Sequence, residues 1–264
     1  MKKLLLLPVI ALASAGALAA EGDAMNRIRA LFSQGYLDGT SSVPADTLPP
    51  PPAPGSAAGA RDYEGSKRAL ALRDTPRWEL AKTDADIFTE AGTRQLSCAA
   101  GVEIGPQTTP KTHRLMQRLL GDFAISTRLV KEHYKRPRPF MVNGEEMCTP
   151  DSEAALRFDG SYPSGHSALG YGWGLVLAQA LPERAAQLVK RGRAFGDSRR
   201  VCNVHWLSDV EEGRVAATVV FARLQSDDEF RSDLAAVRKE LLATKAPPQG
   251  CDEEAAALAL TPDY

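Results

Sequence analysis

The segment GDSRRVCNVHWLSDV, residues 196–210, sets His205 and Asp209 four positions apart. On a helix that spacing puts both on one face, so the carboxylate can accept a hydrogen bond from one imidazole nitrogen. The other nitrogen is then left as a nucleophile or base. An isolated HxxxD pattern is more often an ion pair on a helix surface, and its meaning depends on its company. A second segment, DGSYPSGHSALGYG at 159–172, places Pro163, Ser164, Gly165 and His166 directly before an apolar run. A chain entering a helix this way exposes its first backbone N–H groups, which are natural anion donors. Gly165 omits the side chain that would block close approach, and His166 would face the anion. Alone, this segment also reads as a polar cap with an incidental histidine. The third, KEHYKRPRPF, carries Lys131 and then Arg138 followed by Pro139; by itself it is an ordinary solvated basic stretch.

Together the segments say more than each does alone. Lys131, Arg138 and Arg199 supply three cations around one helix N-terminus, with two histidines beside them. That set suits a phosphate dianion and the trigonal bipyramidal state through which its phosphorus passes. It suits a metal ion badly, because the cations repel a divalent ion and the histidines lack the clustered spacing of a zinc or di-metal site. No metal and no cofactor is therefore expected. His113 and His133 read as surface or supporting residues. Trp78, Trp173 and Trp206 read as core or pocket-wall aromatics, with Trp206 placed beside His205 to touch a substrate ring.

The elements that must hold these residues are helical. TPKTHRLMQRLLGDFAISTRLVKEHY puts Leu115, Met116, Leu119, Leu120, Phe123, Ala124, Thr127 and Val130 on one stripe, which predicts a long core helix ending near Lys131. The run from Ser164 to Pro182 is apolar almost all round and so predicts a central helix. Three more helices are expected from PERAAQLVKRGRAFGDSRR, LSDVEEGRVAATVVFARLQ and DDEFRSDLAAVRKELLATK. No long run alternates with the period of a strand. The fold class expected is all-α: a single compact helical domain with a central bundle, preceded by an extended proline-rich segment.

The opening MKKLLLLPVIALASAGALAA has a basic start, a short apolar stretch and small residues before a cleavage point, which is the pattern of a secretory signal peptide. The expected organisation is a signal over 1–20, an N-terminal segment over 21–60 whose stretch 45–60 runs extended, the helical domain over 61–245 and a tail over 246–264. A net charge of −1 from 32 basic and 33 acidic residues gives no global field toward nucleic acid or a membrane surface. Export favours two disulfides from Cys98, Cys148, Cys202 and Cys251. Three connectivities are open, with Cys98–Cys148 and Cys202–Cys251 preferred because the second ties the tail down.

The joint spacing of Lys131 to Arg138-Pro139, Pro163-Ser164-Gly165-His166, and Ser198-Arg199 to His205 and Asp209 resembles the three-part pattern of the type 2 phosphatidic acid phosphatase superfamily. Within it, GSYPSGHS and GDSRRVCNVHWLSDVEEGR are most similar to the class A bacterial nonspecific acid phosphatases. The resemblance implies a soluble periplasmic enzyme that hydrolyses phosphate monoesters with broad specificity and no metal. It further implies that His205 attacks phosphorus, that Asp209 orients it, and that His166 protonates the leaving alcohol. Lys131, Arg138, Ser164, Gly165 and Arg199 would hold the phosphate oxygens, with Ser198 in support. An acidic pH optimum follows from the opposite protonation states demanded of the two histidines. Small phosphorylated substrates are the expected partners, without nucleic acid or, after signal cleavage, a membrane; many relatives are homo-oligomers. The rival readings are an apyrase-like nucleotide polyphosphate hydrolase, a lipid phosphatase, a vanadium haloperoxidase sharing the anion cage, and a non-catalytic phosphate-binding protein.

Overall fold

The stretch from Gly165 to Ala180 carries no Asp, Glu, Lys or Arg, and in the computed structural model, which describes residues 33–37, 39–260 and 262, it is the helix the others surround. Helices of seven residues or more among the described residues are α1 (Ala57–Leu70), α2 (Pro76–Thr83), α3 (Pro110–Ile125), α4 (Arg128–Tyr134), α5 (Gly165–Ala180), α6 (Ala185–Val201), α7 (Leu207–Leu224), α8 (Asp228–Ala243) and α9 (Cys251–Ala259). No strand occurs among them. The molecule is all-α, and α5 packs most extensively on α6, then on α7 and α3.

Small residues bring α5 and α6 together. A Cβ at Gly174 would lie 2.8 Å from the Leu188 carbonyl oxygen, and one at Gly192 would lie 2.7 Å from that of Gly170. Larger side chains would force the helices apart, at a cost of about 1–3 kcal/mol each. Around this contact lie Trp173, Phe195, Phe123, Leu119 and Met116, all fully buried. The Trp173 indole donates to the Met116 carbonyl at 2.8 Å, so its one polar group is satisfied inside the core.

The long helix expected to end near Lys131 is two helices. Its apolar stripe is buried as the periodicity demands, from Leu115 through Phe123 and again at Thr127 and Val130. Between Ile125 and Arg128, however, the Ser126 hydroxyl donates to the Phe123 carbonyl at 2.6 Å and that of Thr127 to Ala124 at 3.3 Å. The Ser126 carbonyl accepts instead from the backbone N–H of Val43 at 2.8 Å. Side-chain competition and an outside donor thus interrupt the helical ladder, and α4 restarts carrying Lys131.

The proline-rich segment is free of helix and turn only over 49–53, short of the extended stretch expected over 45–60. A 3₁₀ turn spans Ala45–Thr47, and α1 begins at Ala57 with Ser56 as its cap. Leu48 and Val43 are buried against Val130, Tyr162 and Ala216. The Tyr162 hydroxyl donates to the Pro49 carbonyl, so this strap supports the loop before Pro163. At the other end, the expected tail contains α9, which packs on α2 and pairs Glu254 with Arg191 at 3.1 Å.

The preferred cysteine pairing is overturned. The disulfides join Cys98 to Cys251 and Cys148 to Cys202. The Cys148 N–H donates to the Cys202 carbonyl at 3.2 Å, and their Cα atoms are 4.7 Å apart; those of Cys98 and Cys251 are 5.5 Å apart. Proximity in the fold therefore selects partners 54 and 153 positions apart in the chain. The tail is tied down as expected, but to Cys98. The signal segment 1–20, and residues 21–32, lie outside the described residues. No helix among those described is long and apolar enough to cross a membrane.

Candidate active site

Two helix starts meet at the site. Ser164 caps α5, its hydroxyl accepting from the Ser167 N–H at 3.2 Å, and its own N–H donates to the Asp209 carbonyl in the first turn of α7 at 2.9 Å. Gly213 makes the approach possible, since a Cβ there would stand 2.5 Å from the Ser164 carbonyl oxygen. A Cβ at Gly165 would meet its protein neighbours at no less than 3.4 Å. The protein itself therefore leaves room at Gly165, and what the missing side chain keeps open is the approach to the first-turn N–H groups.

His205 and Asp209 are joined differently from the expectation of one helix face. The chain leaves α6 at Val201, turns through Asn203 in the left-handed region (φ 60°), and α7 starts only at Leu207. His205 precedes the helix, while Asp209 lies in its first turn and accepts from the Trp206 N–H at 2.8 Å. The same carboxylate oxygen is 3.3 Å from His205 Nδ1, and His205 Nε2 is 3.0 Å from Arg138 Nη1. A guanidinium can only donate, so Nε2 must be the acceptor and the proton belongs on Nδ1, facing Asp209. The neutral imidazole is thereby fixed with its lone pair on Nε2.

The cations are held firmly, and one of them is under-satisfied. Arg138 is 1% exposed, and it donates to the carbonyls of Leu156, Asp159 and Val204 and to the Asp159 carboxylate. Lys131 reaches the same carboxylate at 2.9 Å and the Gly160 carbonyl. Arg199, 2% exposed, has Cys202 Sγ at 3.9 Å, and its buried Nε has no hydrogen-bond partner. Burial first and Arg138 second lower the pKa of Lys131 to about 8 and that of Arg199 to about 9. Such mutual repulsion in a desolvated site is relieved by an anion.

Both histidines feel the same field. Burial and then Arg199 push His166 well below its ordinary value; burial and then Arg138 do so for His205. His166 Nε2 is 3.1 Å from the Ala85 carbonyl, which can only accept, so Nε2 carries hydrogen and Nδ1 is the nitrogen left to gain or lose a proton.

Lys131, Arg138, Gly165, His166, Arg199 and His205 line one cavity of about 1060 Å³. Ser164 and Asp209 do not reach its wall and support it from behind. Ser198 also lies behind, donating to Asp84 and accepting from Arg77 at 2.9 Å. Trp206 is not in the wall, contrary to expectation: its indole donates to the Pro137 carbonyl at 2.9 Å, and its ring packs on Tyr63 and Arg136. His113 is buried with Nδ1 2.9 Å from the Thr93 hydroxyl, and His133 is exposed against the Tyr134 ring.

Sequence reasoning overlooks three residues here. Arg136 joins Asp209 (2.7 Å) and Ser208 (2.8 Å) through Nη1, and Asp62 of α1 (2.7 Å) through Nη2. Asp62 also accepts from the Ser208 N–H and hydroxyl. Asp159 is the carboxylate shared by Lys131 and Arg138. Arg136 lies inside the KRPRP run, only two positions before Arg138, but nothing local distinguishes it from a solvated arginine. Burial pushes the Asp209 carboxyl up, and Arg136 opposes that by pairing with it.

A helical scaffold that sets two histidines in a ring of buried cations defines the phosphate-handling class, and residues 119–229 match the PAP2 superfamily. A non-specific acid phosphatase of Salmonella typhi is 45% identical over 197 residues, covering 74% of this chain and 78% of that protein. A non-specific acid phosphatase of Providencia stuartii is 37% identical over 212 residues, covering 80% and 86%. An acid phosphatase of Zymomonas mobilis is 36% identical over 200 residues, covering 76% of each. The chain belongs to the non-specific acid phosphatases of the PAP2 superfamily.

Proposed function

We propose that this enzyme hydrolyses a broad range of phosphate monoesters through a phosphohistidine on His205, without a metal ion, in the periplasm. The observation that carries the mechanism is the fixed tautomer: Nδ1–H toward Asp209 and the Nε2 lone pair beside Arg138. Nε2 attacks phosphorus as the P–O ester bond breaks, and protonated His166 gives its Nδ1 proton to the departing oxygen. Water then attacks the phosphorus, the P–N bond breaks, and His166 takes a proton from that water, releasing inorganic phosphate. Lys131, Arg138, Arg199 and the first N–H groups of α5 bind the non-transferred oxygens and stabilise the charge that develops on them.

His166 must be protonated to begin, yet its burial and the neighbouring Arg199 disfavour its charge. The substrate resolves this conflict by bringing negative charge among the cations, which raises the affinity of His166 for a proton. The cavity wall already carries its positive charge on side chains, which supports metal independence. Among the described residues no three His, Cys, Asp or Glu side chains gather to hold a metal ion. The leader-like start and the two disulfides support an oxidising compartment. The test is hydrolysis of p-nitrophenyl phosphate in excess EDTA by the native enzyme and by His205→Ala. Acid-range turnover that survives chelation and disappears in the variant supports the reading; loss on chelation or persistence in the variant refutes it.

A further inference from the structure

Two of the cage cations already share an anion supplied by the protein. Asp159 lines the same cavity, and its Oδ2 lies 2.9 Å from Lys131 Nζ and 2.9 Å from Arg138 Nη2. The Asp159 side chain is 52% exposed, whereas those of Lys131 and Arg138 are 11% and 1% exposed. The carboxylate therefore reaches buried cations from the side that water, and so a substrate, can approach.

Neither cation needs that carboxylate to stay in place. Arg138 also donates to the carbonyls of Leu156 (2.9 Å), Asp159 (3.1 Å) and Val204 (3.0 Å), and Lys131 donates to that of Gly160. The loop is likewise set by its backbone. The Ser161 N–H donates to the Arg136 carbonyl at 2.9 Å, and a Cβ at Gly160 would stand 3.0 Å from the Lys131 carbonyl oxygen, so the chain here is pressed against α4. What the carboxylate contributes is charge: it favours the charged forms of Lys131 and Arg138 against their burial. A phosphate offers similar oxygens to the same donors, so two anions compete for one pair of cations.

We propose that Asp159 is an internal competitor of phosphate, which holds the affinity of the cage low enough for the inorganic phosphate formed in each turnover to leave. This proposal rests on the phosphatase reading above. Buried cations and a helix N-terminus grip the oxygens of product and substrate alike, and such uniform binding lowers KM without speeding the chemistry.

The test is the competitive inhibition constant of inorganic phosphate against p-nitrophenyl phosphate, at fixed ionic strength, in the native enzyme, Asp159→Asn and Asp159→Ala. Both variants remove the charge and keep the backbone anchors. Ki should fall about tenfold in each, equal to ~1.4 kcal/mol, and KM for the ester should fall with it; the half-exposure of Asp159 keeps the effect to this size. Asp159→Glu, which keeps the charge, should keep Ki near the native value. A gain in affinity is a result that structural damage does not produce. Ki unchanged or raised in the two variants, or loss of the folded state in both by thermal melt, overturns the competitor while leaving the phosphatase intact. Absence of phosphate inhibition in the native enzyme overturns the reading of the cage and the proposal with it.

Discussion

At the scale of single residues, the site is a balance of buried charges in which Arg136 holds a central place. It neutralises Asp209 while Asp62 neutralises it in turn. Asp209 must be ionised to hold the Nδ1–H of His205, and burial works against that. Removing Arg136 raises the carboxyl's pKa further, so Arg136→Gln should move the acid limb of kcat/KM to higher pH. It should also cost roughly 3–5 kcal/mol of stability, as when one partner of a buried pair is lost; Arg136→Lys should recover part of the limb shift. Paired pH–rate profiles and denaturant melts read both effects, and an unmoved acid limb would show that Arg136 does not act through Asp209. A second expectation concerns His166. Its pKa in the free enzyme is depressed, so the alkaline limb of kcat/KM should fall below the ordinary histidine value of about 6.5. With phosphate bound, the limb of kcat should lie higher. Coincident limbs would mean that the substrate does not recharge His166. The histidines and the three cage cations were legible because their spacing is local. Arg136 was not, because its partner Asp62 is 74 positions away and only the fold unites them.

At the scale of elements, the proposed mechanism makes activity depend on the junction between the starts of α5 and α7, where the Ser164 N–H donates to the Asp209 carbonyl. Gly213→Ala places a methyl group 2.5 Å from the Ser164 carbonyl oxygen, closer than the two atoms can sit. It should displace α7, weaken the Ser164–Asp209 backbone bond and cost about 1–3 kcal/mol of stability. Because Asp209 moves with α7, kcat should fall more than folding does. A thermal melt beside the steady-state rate would show this, and a variant fully active at reduced stability would remove the junction from the mechanism. Helix content was readable from periodicity and from the run of α5, which lacks Asp, Glu, Lys and Arg. The break between α3 and α4 was not, because Ser126 and Thr127 keep the apolar spacing intact. What opens the ladder is a donor from Val43, on a strap whose path composition alone does not specify.

At the scale of the whole molecule, the two disulfides serve different regions. Cys98–Cys251 holds α9 far along the chain from the cage, whereas Cys148–Cys202 closes its loop three residues before His205. Cys251→Ser should cost about 2–5 kcal/mol of stability with kcat nearly unchanged. Cys202→Ser should cost a similar amount and also reduce kcat, as a melt and a rate for each variant would record. Equal rates for the two variants would contradict this division. The pairing itself was out of reach in the sequence, since four cysteines allow three patterns and only the folded distances choose among them. The central claim is the covalent step on His205, and the most direct measurement is intact-mass and peptide analysis of enzyme quenched under alkaline conditions during steady-state turnover. The account predicts one added phosphoryl group, located on His205 and absent together with turnover in His205→Ala. A phosphoryl group on another residue, or undiminished turnover in that variant, would contradict it.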